Sequence, residues 1–436
     1  MTPARTMAKH PFTFGRLKRD AAMLLVGQLV YRGSGIIVLG VAARLFPATD
    51  LGAFFVVEAV AGMLLVISNF GLNPLLMRRA AAQPQCAGDA LAALLGYRIL
   101  ATPVYLAAAC GVTAVAAGVS PSLALTLSAA AMFEDLSFAF SALFFARKRV
   151  GWNVAIGVVV QVVFVAMLLI LLRWRPTLET WAIATLIRGL MLTGASALVA
   201  GIAFVPIRLR WDRAFVMAGL PFILISVLTI ARDRLDTLLL GLLVAPAAVA
   251  AYQLAWRVIF ATLFVPITVA TVLYPDLAAS GVDRHNRRRF VRALVGLIAA
   301  GAAGSVLLVV LAEPLCKVLY GPQSPGVVPL LRFGSVLVPL LFVEGLLVTS
   351  LQAMHRERAV VRFMLIGLVA GVVTNVALVP VLGAIGAVVS QVVACAVRLA
   401  MGIVALRGSG LLYKAGPATT SANGSVAVEG IQHAAV

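Results

Sequence analysis

The chain has 436 residues, of which 62% are hydrophobic and only 12% are charged, whereas soluble proteins average about 25% charged residues. This composition excludes an ordinary water-soluble globule, because the apolar residues fall into blocks of roughly 20 residues or more, the length that crosses a bilayer. The formal net charge of +19 would suit a nucleic-acid-binding protein, so the positions of the basic residues decide which partner is inferred.

Apolar runs between charged or Pro- and Gly-rich breaks predict twelve transmembrane helices. The runs are too long and too continuously apolar for the alternating strands of a membrane barrel. The predicted spans cover residues 21–43, 51–76, 91–118, 121–145, 151–172, 180–205, 214–242, 247–273, 291–312, 326–351, 360–380 and 383–406. The predicted fold class is therefore an all-α polytopic membrane protein, with Pro221 and Pro266 as sites where spans 7 and 8 can bend.

The basic residues are distributed unevenly between the two sides of the predicted membrane. With the N-terminus in the cytoplasm, 23 of the 35 Lys and Arg residues fall on the cytoplasmic side and four on the opposite side. Positive charge concentrates on the cytoplasmic side of membrane proteins, so both termini are predicted to be cytoplasmic. The basic excess thus indicates topology and attraction to anionic membrane lipids rather than a nucleic-acid partner.

The two halves of the chain resemble each other. Residues 40–79 parallel residues 241–280 at an offset of about 200 residues, with Phe46-Pro47 matching Ala245-Pro246. Two similar six-helix halves in the same orientation predict two lobes around a central cavity. The predicted organisation is a cytoplasmic basic N-terminus at 1–20, an N-lobe at 21–208, a C-lobe at 209–406 and a cytoplasmic disordered tail at 407–436.

Ionisable residues within the spans are candidate site residues, because a charge in hydrocarbon is costly and usually faces a partner or a wet cavity. The predicted substrate-binding residues, which lie in the equivalent spans 1, 2, 7 and 8, are Arg32, Glu58, Arg232, Arg234, Asp236 and Arg257. Together with Asp233 they carry an excess of positive charge, which favours an anionic ligand such as a phosphate or diphosphate. The alternative is a set of structural ion pairs that lock the helices together.

The spacing of these residues predicts their arrangement. Arg32, Glu58, Arg232 and Arg257 lie at similar distances from the outer ends of their spans, so they can share one layer of the membrane. Arg232 and Asp236 are four residues apart, which places them on one helix face where they can form an ion pair.

A second group of ionisable residues lies elsewhere in the spans. Glu134 and Asp135 are neighbours near the middle of span 4 and are predicted to couple transport to an ion, because a buried acid pair can share one proton. In the alternative, Arg188 of span 6 satisfies one of these acids permanently. Glu344 has no evident partner, and four arginines near span ends are expected to extend to the membrane surface, namely Arg98, Arg332, Arg362 and Arg398.

Several short stretches carry a resemblance to a known family. They are Leu51-Gly52-Ala53-Phe54, Asn69-Phe70-Gly71-Leu72 with Leu76 and Arg78, Asp236-Thr237-Leu238-Leu239-Leu240-Gly241 and Ala251-Tyr252-Gln253-Leu254-Ala255. In their order and spacing, residues 20–406 resemble the polysaccharide flippases, a branch of the multidrug/oligosaccharidyl-lipid/polysaccharide exporter superfamily. The resemblance implies two six-helix lobes, alternating access and export of a polyprenyl-diphosphate-linked oligosaccharide across the bacterial inner membrane. It also implies a polysaccharide polymerase or glycosyltransferases as partners.

Two other functions remain open. An ion-coupled multidrug antiporter of the same superfamily would require a predominantly acidic cavity, which the excess arginine disfavours. A membrane glycosyltransferase or polysaccharide polymerase usually needs a large outer loop with catalytic acids or arginines, and the longest outer connection, near 313–325, has no acidic pair. The four cysteines have no metal-ligand spacing and the chain has no GxxxxGK[ST] nucleotide loop, so the sequence predicts neither an enzyme nor a cofactor or metal.

Overall fold

The structure is a computed structural model that describes residues 14–147, 149–203, 208–280, 284–354 and 356–407. All regular elements within these ranges are helical, which confirms the predicted all-α fold class. Two short 3-10 turns, Pro84–Cys86 and Gly321–Gln323, accompany the α-helices. The α-helices are α1 (Phe14–Leu45), α2 (Ala48–Asn69), α3 (Leu72–Ala82), α4 (Ala87–Ala117), α5 (Pro121–Ala146), α6 (Val150–Trp174), α7 (Leu178–Ala203), α8 (Arg213–Met217), α9 (Leu220–Leu243), α10 (Pro246–Ala261), α11 (Phe264–Ser280), α12 (Arg284–Tyr320), α13 (Ser324–Gly334), α14 (Leu337–Ala353), α15 (Glu357–Leu382) and α16 (Ala384–Arg407).

The protein is a multi-pass membrane protein with about twelve spans in two lobes. Ten helical segments of the described chain are long and apolar enough to cross a membrane. The other two predicted spans contain α9, which carries four ionisable side chains, and α14, which has only 17 residues. The predicted tail at 407–436 lies outside the described residues except for Arg407, and so does the N-terminus before Phe14.

Four spans that the sequence predicts as single runs are each divided into two helices. The divided spans are 51–76, 214–242, 247–273 and 326–351. In each case the second helix has a proline among its first three residues, where the missing N–H would have no intrahelical acceptor. These prolines are Pro74 in α3, Pro221 in α9, Pro266 in α11 and Pro339 in α14. Prolines Pro103, Pro314 and Pro380 lie within continuous helices, so a proline alone does not predict a break.

The break between α2 and α3 has the most distinctive backbone. Phe70 and Gly71 both adopt left-handed conformations, with φ of 48° and 68°. Such a conformation is costly for a bulky residue such as phenylalanine, so the surrounding packing has to hold it. The Asn69 side chain also accepts a hydrogen bond from the Asn73 backbone N–H at 3.4 Å, in the first turn of α3.

Helix packing repeats between the two lobes. In the first half α1 packs against α6, α5 against α7 and α6 against α7. In the second half the equivalent pairs are α9 with α15, α14 with α16 and α15 with α16. The lobes meet where α2 packs against α9 and α10, and buried Phe55 and Tyr252 from the two sides belong to one hydrophobic core cluster. This arrangement agrees with the internal repeat inferred from the sequence, while the exact lobe boundary at residue 208 stays a prediction.

The lobes are also joined at one end of the bundle. The Gln323 side chain donates to the Phe46 carbonyl oxygen at 2.6 Å, and the Arg44 guanidinium donates to the Val318 carbonyl oxygen. Close by, the N-terminal turns of α2 and α10 approach so tightly that Gly52 faces the backbone carbonyl of Pro246. A side chain at Gly52 would overlap this carbonyl group, so the glycine is required for close contact between the lobes.

Replacing Gly52 with alanine is expected to destabilise the protein by about 1–3 kcal/mol, because the new methyl group forces α2 and α10 apart. Thermal unfolding of the purified protein in lipid nanodiscs measures this change. Gly157→Ala in α6 is the matched control, because an added Cβ meets no atom within 4 Å there. This control should leave stability unchanged or raise it by up to about 1 kcal/mol, since alanine favours helix over glycine. Equal effects of the two substitutions would contradict a steric role for Gly52.

Candidate functional site

A cavity of about 520 Å³ lies where the N-lobe meets the C-lobe. Its wall comes mainly from α1, α2, α5, α6 and α7, and α9 and α10 of the C-lobe complete it. Aromatic and aliphatic side chains such as Phe54, Phe138 and Trp181 form the apolar part of the wall. The Arg, Glu and Asp residues that line the cavity are Arg32, Glu58, Glu134, Asp135, Arg188, Arg234 and Arg257.

Glu58 of α2 is shared by two arginines from the opposite lobe. Its Oε1 atom accepts from Arg234 Nη1 of α9 at 3.2 Å and from Arg257 Nη2 of α10 at 3.3 Å. Arg257 Nη2 also lies 3.4 Å from Glu58 Oε2. The three side chains are between 30% and 39% exposed, so water can reach this cluster.

Arg32 of α1 lies on the same cavity wall with a different set of partners. Its guanidinium donates to the Phe260 carbonyl oxygen, lies 6.0 Å from the centre of the Phe260 ring and donates to Gln28 Oε1 at 3.2 Å. Within the described chain, no carboxylate lies within ion-pair distance of Arg32. The sequence missed Gln28 because it is uncharged, although its position four residues before Arg32 places it on the same helix face.

The charges of this part of the cavity do not cancel. Glu134 and Asp135 pair with Arg188 and Arg98, so Glu58 is the carboxylate of the described cavity wall that is left to offset Arg32, Arg234 and Arg257. Two positive charges therefore have no compensating acid. Of the four residues predicted to share one layer, Arg32, Glu58 and Arg257 line this cavity and Arg232 does not. Guanidinium groups bind phosphate and carboxylate oxygens through paired N–H donors, so the cluster is chemically suited to an anion.

Glu134 and Asp135 line the cavity but have separate cationic partners. Glu134 Oε2 lies 2.5 Å from Arg188 Nη2 of α7, and its Oε1 accepts from the Tyr31 hydroxyl at 3.2 Å. Asp135 Oδ2 lies 2.6 Å from Arg98 Nη2 of α4. Consecutive residues on a helix point about 100° apart, which sends the two carboxylates to different neighbours. This geometry matches the alternative in which arginines satisfy the acids, and the ion-coupling role stays a prediction.

The expectation for Arg98 is wrong. Its side chain is 5% exposed rather than extended to the membrane surface, and besides Asp135 it donates to Asn73 Oδ1 at 3.1 Å. Asp135 also accepts from the Asn69 amide at 3.2 Å. The resulting polar network connects α4 and α5 to both sides of the α2–α3 break, so it supports the left-handed backbone there.

The predicted ion pair between Arg232 and Asp236 does not form, and neither residue lines the cavity. Arg232 Nε instead lies 2.8 Å from Asp233 Oδ1, the carboxylate of its neighbour. Asp236 accepts hydrogen bonds from uncharged donors, namely Tyr252 at 3.1 Å, Asn375 at 3.1 Å and Gln391. Because these donors come from α10, α15 and α16, tertiary packing rather than the spacing along α9 selects the partners of Asp236. Substrate binding by Arg232 and Asp236 stays a prediction.

Glu344 has a partner, contrary to the expectation from the sequence. Arg398 of α16 donates to both of its carboxylate oxygens, at 2.7 Å and 3.1 Å, and these side chains are only 3% and 8% exposed. Arg398 is therefore buried rather than extended to the membrane surface. The pair repeats the Glu134–Arg188 contact of the other lobe, and both members are shifted by the same 210 positions along the chain.

Comparison with known proteins relates the chain to one family. Residues 17–280, more than half of the chain, match the family model described as polysaccharide biosynthesis protein. The chain is 21% identical to the probable low-salt glycan biosynthesis flippase Agl15 of Haloferax volcanii over 401 residues, which cover 88% of this chain and 82% of that protein. It is 31% identical to the probable flippase AglR of the same organism over 170 residues, which span only 36% of this chain and 34% of that protein.

Solved structures share the fold at low sequence identity. A MOP superfamily transporter from Pyrococcus furiosus has a TM-score of 0.64 and 16% identity, covering 92% of this chain and all of that one. The lipid II flippase MurJ in its inward closed conformation has a TM-score of 0.58 and 12% identity, covering 90% and 86%. These likenesses describe the fold, whereas the family model, which matches more than half of the chain, establishes the family. The chain therefore belongs to the polysaccharide biosynthesis protein family.

Proposed function

We propose that the protein is a flippase that moves a polyprenyl-diphosphate-linked oligosaccharide from the cytoplasmic to the outer leaflet of the bacterial inner membrane. The substrate would serve cell-surface polysaccharide synthesis, and the two lobes would expose the cavity alternately to the two sides. The names of the two Haloferax volcanii relatives support a flippase. The charge and position of the cavity support the class of substrate.

The observation that carries the proposal is the cluster on the cavity wall in which three arginines, Arg32, Arg234 and Arg257, outnumber one carboxylate, Glu58. Two positive charges remain uncompensated there, and they match the two negative charges of a diphosphate diester. A carrier of cationic drugs would need the opposite charge balance, because an uncompensated guanidinium repels a cation. The cluster therefore favours the lipid-linked oligosaccharide over the antiporter alternative.

The positions of the sugar and of the polyprenyl chain follow from the chemistry of their surroundings in this proposal. Aromatic side chains and polar groups such as Gln161 line the N-lobe part of the cavity and suit a sugar, which presents both hydroxyls and apolar ring faces. The polyprenyl chain would stay in lipid between the lobes, because its hydrocarbon gains nothing by entering a charged cavity. In this proposal the protein carries out no covalent chemistry, and a polymerase or glycosyltransferases would use the exported product.

The predicted topology indicates on which side of the membrane the described conformation would be closed. With both termini in the cytoplasm, the joined end of the bundle, at Gln323 and Phe46, is the outer end. Contact between the lobes at that end would close the outer side. The proposed transport cycle then requires these contacts to separate when the substrate leaves.

Reconstitution tests the proposal directly. Proteoliposomes would contain a polyprenyl-diphosphate disaccharide with a fluorophore on the sugar, and an impermeant reductant would bleach the molecules that reach the outer leaflet. We expect the rate of transfer to be well above the rate in protein-free vesicles. The measurement is made with and without proton and sodium gradients, and a rate that depends on a gradient reveals ion coupling. A fluorescent phosphatidylcholine measures general lipid scrambling as the control. Transfer of the oligosaccharide lipid at the protein-free rate under every gradient would reject the function.

A further inference from the structure

Glu58 lies where the C-lobe arginines would bind a substrate phosphate. Its carboxylate belongs to α2 of the N-lobe, whereas Arg234 and Arg257 belong to α9 and α10 of the C-lobe. Within the described cavity, this three-residue cluster is a direct ion-pair contact between the two lobes. Carboxylate and phosphate oxygens accept from guanidinium groups in the same paired geometry, so the two anions compete for the same donors.

Distances and exposure distinguish this cluster from the two buried ion pairs Arg98–Asp135 and Arg398–Glu344. Glu58 contacts its two arginines at 3.2–3.4 Å, and its side chain is 30% exposed. The Arg98–Asp135 and Arg398–Glu344 pairs are closer, at 2.6 Å and 2.7 Å, and no side chain in them is more than 13% exposed. Charge-assisted hydrogen bonds are usually about 2.7–2.9 Å long. The Glu58 contacts are therefore long, open to water and suited to exchange, whereas the Arg98–Asp135 and Arg398–Glu344 pairs are closed and structural.

We propose that Glu58 acts as an internal competitor of the substrate diphosphate and that the exchange of these two anions loosens the junction between the lobes. The inference rests on the proposed function, because it assumes that a diphosphate enters the cavity. When the diphosphate binds Arg234 and Arg257, Glu58 loses both partners and faces a second anion. Repulsion between the carboxylate and the diphosphate then favours movement of α2 away from α9 and α10.

The same exchange explains how a substrate that is held by several arginines can leave. Once the lobes have rearranged, the carboxylate can return to the arginines and displace the diphosphate on the other side of the membrane. Glu58 is thus a positioning residue that acts through Arg234 and Arg257. It would weaken substrate binding and accelerate release, so its removal should affect affinity and turnover in opposite senses.

Binding of inorganic pyrophosphate to the purified protein tests the competition. In isothermal titration calorimetry at constant pH and ionic strength, Glu58→Gln should bind pyrophosphate about tenfold more tightly than the unsubstituted protein, because glutamine keeps the shape but removes the competing charge. Glu58→Asp should bind nearly like the unsubstituted protein, since the charge is retained. Glu313→Gln is the control, because Glu313 pairs with Lys317 and Arg332 outside the cavity.

Transport by the same variants supplies a second measurement. In the vesicle assay Glu58→Gln should show a lower KM and a lower kcat than the unsubstituted protein, because binding improves while release slows. A purely structural role for Glu58 would weaken binding and transport together. Unchanged or weaker pyrophosphate binding by a folded Glu58→Gln protein would overturn the inference and leave the flippase function intact, provided that the unsubstituted protein transports the lipid.

A measurement on protein that retains Glu58 covers the case in which Glu58→Gln fails to fold. Spin labels at Thr49 of α2 and Leu243 of α9, both exposed, report the separation of the lobes. Added pyrophosphate should lengthen or broaden the distance distribution between the two labels. An identical distribution at saturating pyrophosphate would overturn the inference. If neither pyrophosphate binding nor lipid transport is detected with the unsubstituted protein, the proposed function itself fails.

Discussion

Replacing Arg257 with alanine is expected to slow transport of the lipid-linked oligosaccharide by about ten- to a hundredfold, the effect of losing one or two charged hydrogen bonds to the diphosphate. The substitution removes a cavity guanidinium and leaves Glu58 to Arg234 alone. Because Arg257 is partly exposed to water, its loss should not prevent membrane insertion or folding. Initial rates in the vesicle assay, together with a thermal unfolding curve, measure both quantities.

Two further substitutions make the result specific. Arg257→Lys keeps the charge but cannot form the paired hydrogen bonds of a guanidinium. Its transport rate should therefore lie between those of Arg257→Ala and the unsubstituted protein. Arg332→Ala removes a half-exposed arginine of α13, outside this cavity, and should transport at the normal rate. Arg32→Ala should slow transport about as much as Arg257→Ala does. Normal transport by both the Arg32 and the Arg257 alanine variants would reject the assignment of these residues to the substrate.

Replacing Glu344 with alanine is expected to lower the free energy of unfolding by about 3–5 kcal/mol, because it leaves the buried Arg398 guanidinium without its anion. The pair is almost completely enclosed, so no solvent is available to stabilise the remaining charge. Thermal unfolding in nanodiscs measures the loss. Glu313→Ala on the protein surface should cost less than about 1 kcal/mol, because exposed ion pairs contribute little.

A double substitution distinguishes the two possible origins of this effect. If an uncompensated charge is the cause, Glu344→Leu with Arg398→Leu should recover much of the stability, because two packed apolar side chains carry no desolvation cost. If the double variant is as unstable as Glu344→Ala, the shape of the pair rather than its charge holds α14 and α16 together. A melting temperature of Glu344→Ala equal to that of the unsubstituted protein would contradict the burial of the pair.

The sequence predicted where the helical spans lie, but it did not predict where four of them are broken. A bilayer fixes the length and apolar character of a span, so twelve runs could be read without knowledge of their packing. The breaks could not be read, since Pro103 and Pro314 lie in continuous helices while Pro74 and Pro266 follow breaks. Whether a proline interrupts a span depends on neighbours that satisfy the freed backbone groups.

For the charged residues, too, the sequence indicated which residues matter but not which partners they have. The cost of placing a charge in hydrocarbon selected six candidate substrate-binding residues, of which Arg32, Glu58, Arg234 and Arg257 line one cavity, whereas Arg232 and Asp236 do not. Helical periodicity offers only partners three or four residues away, which led to the incorrect pair of Arg232 with Asp236. The partner of Glu344 lies 54 residues along the chain, and only the packing of α14 against α16 brings it within reach.

The amino-acid sequence by itself determined that this protein is a helical membrane protein, because composition and span length follow directly from the chemistry of the bilayer. Tertiary structure alone decided which charges neutralise each other and which remain available. The short, buried pairs Arg98–Asp135 and Arg398–Glu344 stabilise the lobes. The longer, water-accessible contacts of Glu58 lie between the two lobes. Distance and access to water separate these two kinds of ion pair, and neither quantity is encoded in local sequence.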